Sequence, residues 1–290
     1  MKRQRNQGKA LTVFIYCLGL LFLFPLIFTF TNSFMTESAI TMNYTSKLTT
    51  FDVIEGITSK FMRLMLIPER ISLEQYAKAL IEQPAFMILL SNSLKITVPV
   101  TLGNLLIGLL TGYGFTIWQW KYKEKVFMAY ILVMLMPLQA VLVPNYIVAT
   151  FLRFRHSYLA IMLPGIFSPF GVFLMRQSMR LLPVSCFEAA CMDGANHWQV
   201  FTRVIIPQLK SAIAALCMLT FIDYWNLVEQ AVIFIDDYAK EPLSVYLSRL
   251  ATGRVGLIFA ASCVYLFLPL WFLWSRQQDL EKGIALSGVK

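Results

Sequence analysis

The sequence predicts an all-α polytopic membrane protein with six transmembrane helices. Of its 290 residues, 58% are hydrophobic and only 14% are charged, whereas soluble proteins carry about 25% charged residues. Uncharged runs recur along the chain, and several are long enough to cross a bilayer, which takes roughly 20 apolar residues. These observations argue against a soluble globular domain and place the hydrophobic core within a bundle of membrane-embedded helices.

The first ninety residues predict one span followed by a polar segment. Residues 1–10 carry a basic cluster, and the apolar run over 11–30 is too long for a signal peptide and lacks an A-x-A-like cleavage site. We therefore expect an uncleaved transmembrane helix over 11–30. Residues 31–90 form the longest polar stretch, and within it Ser72 with Gln75 predicts a capped helix that runs to about Glu82.

Five further spans are expected between residues 91 and 275. Prolines inside these runs are compatible with membrane helices, because neighbouring helices satisfy the freed carbonyl groups. The expected spans are the runs between Lys95 and Lys121, between Lys125 and Arg153, between His156 and Arg176, over Ser211–Glu229 and over Val255–Ser275.

The distribution of basic residues predicts the orientation of these spans. Six spans put both termini on one side, and most Lys and Arg residues cluster on that same side, which the positive-inside rule identifies as the cytoplasm. Residues 1–10, the loop 178–209 and the tail 276–290 are then cytoplasmic, and residues 31–90, 149–157 and 230–254 are extracytoplasmic. The net charge of +9 is thereby explained by topology, and we expect no nucleic-acid partner.

The loop 178–209 predicts two short capped helices. Ser185 and Glu188 have the spacing of a capping box, so the first helix is expected to begin at Cys186. Gly194 suits the left-handed conformation that closes a helix. The residues of this helix expected to share an apolar face are Phe187, Ala190 and Cys191.

The second helix of the loop is expected to be capped by Asn196, with Gln199 at its third position. Pro207 is expected to end this helix just before the fifth span. The small side chains of Ala189 and Ala190 allow a partner to approach closely. An exposed ion pair from Glu188 or Asp193 would add about 1 kcal/mol or less. From the residues alone, a docking element and an ordinary loop on the lipid surface both remain open. The apolar face of the second helix is expected to contain Trp198, Phe201 and Ile205.

The same loop contains a family motif. It reads Glu188-Ala189-Ala190-Cys191-Met192-Asp193-Gly194-Ala195 and is followed by Ile205-Ile206-Pro207. This pattern resembles the coupling loop of permease subunits in maltose-type carbohydrate importers of the ABC transporter family. Phe187 departs from that pattern, because the family often has an acidic residue there, and its ring is expected to make the docking face more apolar. Other segments similar to the family are Asn92-Ser93-Leu94, Pro137-Leu138-Gln139-Ala140, Val143-Pro144, Pro169-Phe170, Phe173-Leu174-Met175-Arg176-Gln177, Trp225-Asn226, Pro242-Leu243 and Gly288-Val289-Lys290.

The resemblance implies a multi-pass permease subunit in a prokaryotic cell membrane, which is not itself an enzyme. Its implied partners are membrane lipid, a homologous second permease, a cytoplasmic ATP-binding subunit dimer and an extracytoplasmic binding protein that delivers a sugar or oligosaccharide. ATP and Mg²⁺ belong to the ATPase, no cofactor is expected on this chain, and the sequence contains no G-x-x-x-x-G-K-[ST] motif. The implied coupling residues are Ser185, Phe187, Glu188, Ala189, Ala190, Asp193, Gly194, Ala195, Trp198, Phe201 and Pro207.

Polar residues inside the spans are candidates for a solute pathway, because polar groups within a membrane are costly and usually functional. The strongest candidates are Asp223, Trp225 and Asn226, which place polar groups beside an aromatic ring in the fifth span. Polar residues also hold membrane helices together, so a purely structural role remains the alternative. Weaker candidates are Asn104, Gln139, Asn145 and Glu229.

Three other functions compete with a sugar importer. A permease for a non-sugar solute fits the same motifs. An ion-coupled secondary transporter would explain six spans and an intramembrane Asp223, but not the capped loop, and the two halves show no symmetry. An intramembrane enzyme lacks support, since there is no H-E-x-x-H motif and both histidines lie outside the expected spans.

Overall fold

A computed structural model of the chain describes residues 2–44, 65–68, 70–249 and 255–288, and within these ranges it contains helices and turns but no strand. The all-α class is therefore confirmed. The chain divides into two compact units, one formed by Met1–Met87 and Leu247–Phe267 and the other by Ile88–Tyr246 and Leu268–Lys290. The candidate coupling loop and the polar groups of the fifth span both lie in the second unit.

Fourteen α-helices and one short 3₁₀ helix, Tyr238–Lys240, are distinguished along the described residues. Two of them contain wider π-helical turns: α3 continues over Lys78–Glu82, and α10 contains such turns over Val200–Ile205. The helices are α1 (Lys2–Asn32), α2 (Glu37–Tyr44), α3 (Glu74–Ala77), α4 (Pro84–Ile117), α5 (Lys123–Met134), α6 (Leu138–Phe151), α7 (Leu159–Ile166), α8 (Pro169–Arg180), α9 (Val184–Met192), α10 (His197–Gln208), α11 (Lys210–Trp225), α12 (Glu229–Phe234), α13 (Leu243–Arg249) and α14 (Val255–Gly288).

Four segments of the described chain are long and apolar enough to cross a membrane, and two bent pairs of helices raise the number to six if each pair forms one span. The pair α5 and α6 bends by 102°, and the pair α10 and α11 bends by 77°. Neither bend was predicted, because an uncharged run in the sequence indicates how long a span is but not whether its helix axis changes direction. The six-span count and the cytoplasmic termini therefore stay predictions. The four segments are Leu11–Asn32, Pro84–Ile117, Leu159–Arg180 and Val255–Ser275.

In the first unit, the short helix expected after Ser72 is present. The Ser72 hydroxyl accepts a hydrogen bond from the amide of Glu74 at 3.1 Å, although the residue at the N-cap position is Leu73. The helical turns end at Glu82 as predicted. Pro84 then begins α4, where its fixed φ and missing N–H are tolerated, so it starts a span rather than only ending a helix.

In the second unit, two sequence segments that lie 150 residues apart meet at the start of α4. The Ser93 hydroxyl accepts a hydrogen bond from the amide of Leu243 at 2.8 Å, and the Asn92 side chain donates to the carbonyls of Ala239 and Glu241 at 2.8 and 3.1 Å. Because Ser93 and Leu243 are almost completely buried, these bonds replace hydration of the backbone that water cannot reach. They attach the segment before α13 to α4.

The approach of α4 to α8 is set by glycine. A Cβ atom added at Gly108 would lie only 2.9 Å from the carbonyl carbon and oxygen of Gly171, so the two backbones are in direct contact. Small residues at such crossings drive helix association in membranes, where lipid supplies no hydrophobic force between helices. The same crossing lets the side chain of Asn104 donate a hydrogen bond to the carbonyl of Gly165 at 2.8 Å.

The end of α8 is fastened to the start of α5. Arg176 is 2% exposed, and its guanidinium forms an ion pair with Glu124 at 2.5 Å and lies 3.6 Å from the ring centroid of Phe127. A buried charge needs such pairing to offset its lost hydration. The last turn of α8, which leads directly into the candidate coupling loop, is therefore held in one position.

We predict that Gly108→Ala destabilises the protein by about 1–3 kcal/mol, because overpacking against a backbone cannot be relieved by a side-chain rotation. Gly114→Ala is the matched control on the same helix, since its added Cβ would meet only the Trp118 ring at 3.6 Å. The measurement is the fraction of monodisperse protein left after heating in detergent. Equal melting of the two variants would contradict the proposed contact.

Candidate functional site

The loop between α8 and α11 forms two helices, α9 and α10, but the first does not begin where the sequence predicted. Its N-cap is Pro183, with φ −61° and ψ 130°, and no side chain caps it. The amide of Cys186 bonds to the carbonyl of Pro183 at 3.1 Å, so the first turn closes earlier than expected. Ser185 therefore lies inside that turn, and the predicted Ser185–Glu188 capping box is wrong.

The end of α9 is closed as predicted, with Gly194 in the left-handed region at φ 78°. The amide of Ala195 bonds to the carbonyl of Ala190 at 3.0 Å, and the amide of Gly194 bonds to the carbonyl of Cys191 at 3.0 Å. These two bonds are those of a Schellman motif, which commonly closes a helix at glycine. Ala190 and Ala195 also pack against the same apolar cluster, so the turn is fixed by both hydrogen bonds and contact.

The beginning of α10 has the predicted capping box. The side chain of Asn196 accepts a hydrogen bond from the amide of Gln199 at 2.9 Å, and the Gln199 side chain accepts one from the amide of Asn196 at 2.9 Å. Only residues 193–196 separate the two helices. Since both ends of this connection are closed by local bonds, α9 and α10 are joined by a short turn of defined geometry.

The interior of α10 differs from the regular helix that was expected. Its π-helical turns over Val200–Ile205 contain more residues per turn than an α-helix, so Val200 and Ile205, five residues apart, are both buried. Phe201 is buried as well, but Trp198 is 63% exposed, and the expected apolar face is therefore divided.

The end of α10 also lies later than the sequence indicated. Pro207 was expected to end the helix, but it lies inside the final turn, Ile206–Gln208. The chain bends after Gln208, at Leu209.

The two faces of α9 have different surroundings. Phe187 and Ala190 are half-buried and pack against the chain's own core, which differs from the expectation that the Phe187 ring makes the docking face more apolar. Cys191, expected on that same face, is exposed. The buried residues of this core are Leu109, Tyr113, Met175, Met179, Val200, Phe201, Ile205, Leu209 and Leu216.

The outward face of α9 is a continuous stripe. Its members have the spacing i, i+3, i+4 and i+7 that places residues on one side of a helix, and all are exposed. Met192 is 87% exposed. We call this the α9 stripe, and it consists of Ser185, Glu188, Ala189 and Met192.

The candidate pathway residues of the fifth span lie in different environments. Trp225 is completely buried, and its ring stacks on Phe221 with centroids 5.5 Å apart. Its side chain is therefore a packing element and offers no face to a solute. Asp223 and Asn226 lie at the surface of this chain, and both border cavities.

Two cavities adjoin at Asp223. The first has a volume of about 280 Å³ and the second about 360 Å³, and Asp223 and Tyr224 line both. Of the weaker candidates, Asn104 lines the first cavity and Glu229 lines the second. Gln139 donates a hydrogen bond to Glu229 at 3.2 Å. Asn145 is half-buried. Sequence reasoning missed Ser168 and Thr220 in the first cavity, because isolated hydroxyl residues in apolar runs carry no pattern.

No group of three or more His, Cys, Asp or Glu side chains in the described part of the chain is arranged to hold a metal ion.

Comparison with known proteins agrees with this architecture. A family model described as a binding-protein-dependent transport system inner membrane component matches residues 104–277. The chain is 25% identical to the arabinooligosaccharides transport system permease protein of Bacillus subtilis, over 97% of this chain and 95% of that protein. It is 28% identical to the lactose transport system permease protein of Rhizobium radiobacter, over 69% of this chain and 74% of that protein.

A solved structure has the same fold. It is a bacterial ABC transporter involved in the import of the acidic polysaccharide alginate, and it aligns with a TM-score of 0.80 at 21% identity, over 97% of this chain and 98% of that chain. The family match includes α9, α10 and α11, the segments that hold the α9 stripe and Asp223. The chain thus belongs to the family of binding-protein-dependent transport system inner membrane components, which are permease subunits of ABC importers and not enzymes.

Proposed function

We propose that this chain is the membrane-spanning permease of an ATP-driven importer for a sugar or oligosaccharide, moved by a separate ATPase that docks on the α9 stripe. The observation that carries the proposal is the exposure of this stripe on a helix whose connection to α10 is closed by local hydrogen bonds. The names of the lactose and arabinooligosaccharide relatives support the solute class.

The chemistry of the stripe fits a protein partner. Met192 presents a flexible apolar side chain that adapts to an irregular surface, and Ala189 leaves room for close approach. Trp198 lies just beyond the connecting turn and is 63% exposed, and tryptophan is enriched among residues that dominate binding energy. Glu188 adds a single exposed charge, which contributes modestly.

Attachment of the loop to the membrane helices provides a route for mechanical coupling. The Tyr113 hydroxyl of α4 donates a hydrogen bond to the carbonyl of His197 at 3.2 Å, and α9 packs through Phe187 onto the core shared with α8 and α11. A partner that displaces α9 must therefore also displace helices of the bundle. This is the property that an ATPase-driven permease requires of its docking element.

The remaining partners follow from this role. They are a homologous second permease, an extracytoplasmic binding protein and membrane lipid, in a prokaryotic inner or plasma membrane with both termini of this chain in the cytoplasm. ATP and Mg²⁺ act on the ATPase dimer, and this chain binds no cofactor and no nucleic acid. A second candidate is a permease for a non-sugar solute, because other relatives are named for osmoprotective compounds and sn-glycerol-3-phosphate.

We predict that Ala189→Arg prevents the ATPase from docking, because a long charged side chain replaces a methyl group at the centre of the stripe. Loss of a central contact costs about 2 kcal/mol or more, which is more than a tenfold fall in affinity. Copurification of the ATPase with the permease measures this effect. Ala189→Ser, which barely changes the volume, is the matched control, and equal copurification with both variants would refute the docking role.

We predict that Gly194→Ala lowers transport while Gly194→Asn retains most of it. A Cβ at Gly194 meets no atom within 4 Å, so the only cost is the left-handed backbone, about 1–2 kcal/mol for an ordinary residue. Asn occupies that region more readily than Ala. Uptake by the reconstituted importer, normalised to the amount of inserted permease, measures the difference. Equal uptake by both variants would show that transport does not depend on the left-handed backbone at Gly194.

A further inference from the structure

The two cavities beside the fifth span carry negative charge without a compensating cation. The first is lined by Asp223, and the second by both Asp223 and Glu229. No Lys, Arg or His is among the residues that line either cavity, and the structure gives the Asp223 carboxylate no hydrogen-bond or ion-pair partner within the described ranges. A solute that enters these cavities therefore meets one sign of charge.

Asn104 lines the first cavity and is also held in the contact of α4 with α8. Asn104 is 2% exposed, and its amide nitrogen is already bonded to Gly165. Its side-chain oxygen, which lies beside Gly171, has no hydrogen-bond partner among the described residues. This oxygen is itself shielded from solvent, so Asn104 shapes the wall of the first cavity, and the charge of that cavity comes from the Asp223 carboxylate.

The rest of the lining is suited to an uncharged hydroxylated molecule. Ser168 and Thr220 contribute hydroxyl groups, and Phe170 and Tyr224 contribute aromatic rings. Carboxylates accept charge-assisted hydrogen bonds from hydroxyl donors, whereas a carboxylate or phosphate on the solute would meet like charge with no cation to offset it. The volumes, about 280 and 360 Å³, are near the lower limit of small-molecule sites.

We propose that Asp223 makes this permease selective for neutral, polyhydroxylated solutes and excludes anionic ones. This inference rests on the proposed function, because it assigns a charge class to the solute that the permease carries. The chain would then differ from its structural neighbour, which is described as an importer of an acidic polysaccharide, and from the relative named for sn-glycerol-3-phosphate. The difference would follow from the charge of the cavity rather than from the fold.

The test measures the electrostatic potential inside the two cavities with charged thiol reagents, so the natural solute does not have to be known. Ser168→Cys places a thiol in the first cavity, and Asn226→Cys places one in the second. The purified permease–ATPase complex is treated with methanethiosulfonates that carry a trimethylammonium, a hydroxyl or a sulfonate group. The rate of modification of each thiol is followed by intact mass spectrometry. The rate measured for the parent protein, which has only its native cysteines, is subtracted. The result is divided by the rate at which the same reagent modifies free 2-mercaptoethanol, which removes differences in intrinsic reactivity.

The cationic reagent is expected to react about tenfold faster than the anionic one after normalisation, with the neutral reagent between them. The isosteric Asp223→Asn change should bring the normalised rates together at the Ser168→Cys thiol in the first cavity, and should only reduce their difference at the Asn226→Cys thiol, because Glu229 also lines the second cavity. Equal rates with Asp223 intact would overturn the proposal, and they are the result expected if a cation of the second permease neutralises this carboxylate. Discrimination that survives Asp223→Asn in the first cavity, or no reaction of either introduced thiol, would overturn it too.

The outcome is separable from that of the proposed function. Failure of charge discrimination would leave docking of the ATPase on the α9 stripe intact. Conversely, normal ATPase copurification with Ala189→Arg would reject the docking role and would not alter the reagent rates in the cavities.

Discussion

The contact between the backbones of Gly108 and Gly171 is the constraint from which much of the second unit follows. It brings α4 against α8 at a separation that no larger residue permits. At this distance Asn104 reaches the carbonyl of Gly165, and this contact forms one wall of the first cavity. Packing of small residues is also the main source of helix association available in lipid, so the contact both stabilises the bundle and positions its polar groups.

The same helix connects the cavity to the loop. α8 begins beside Ser168, which lines the first cavity, and its last turn is held by the buried Arg176. Beyond that turn the chain passes into α9, whose inner face shares a core with α4, α8 and α11. A force applied to the outer face of α9 therefore reaches the helices that border the cavity through packed side chains rather than through a flexible loop. This arrangement gives a physical basis for the coupling that we propose between an ATPase on α9 and solute movement.

The structural features that the sequence predicted correctly are those determined by residues close together in the chain. The left-handed cap at Gly194 and the capping box at Asn196 were correct, because each is decided by residues within one turn. The Ser185 cap was wrong because Pro183 set the start of α9 earlier. The π-helical turns of α10 and the two bends depend on packing between distant residues, and hydrophobic runs do not encode them.

In the candidate sites, too, features set by neighbouring residues were predicted and features set by distant packing were not. The spacing in α9 was sufficient to predict an amphipathic helix, but not which face is exposed, and Phe187 was assigned outward although it packs inward. Trp225 was grouped with its neighbours by proximity in sequence, whereas helical rotation buries it and exposes Asp223. The contact of Ser93 with Leu243 joins segments that were recognised separately. The described ranges do not include residues 45–64 and 250–254, where part of the expected extracytoplasmic surface lies.

The central claim is that the outer face of α9, and not its inner face, contacts the ATPase. Site-specific photo-cross-linking in the assembled importer tests it directly, with a benzophenone amino acid in place of Met192 in one variant and in place of Phe187 in another. We predict a cross-link to the ATPase from position 192, and cross-links only within the permease from position 187. An ATPase cross-link from position 187 alone would contradict it.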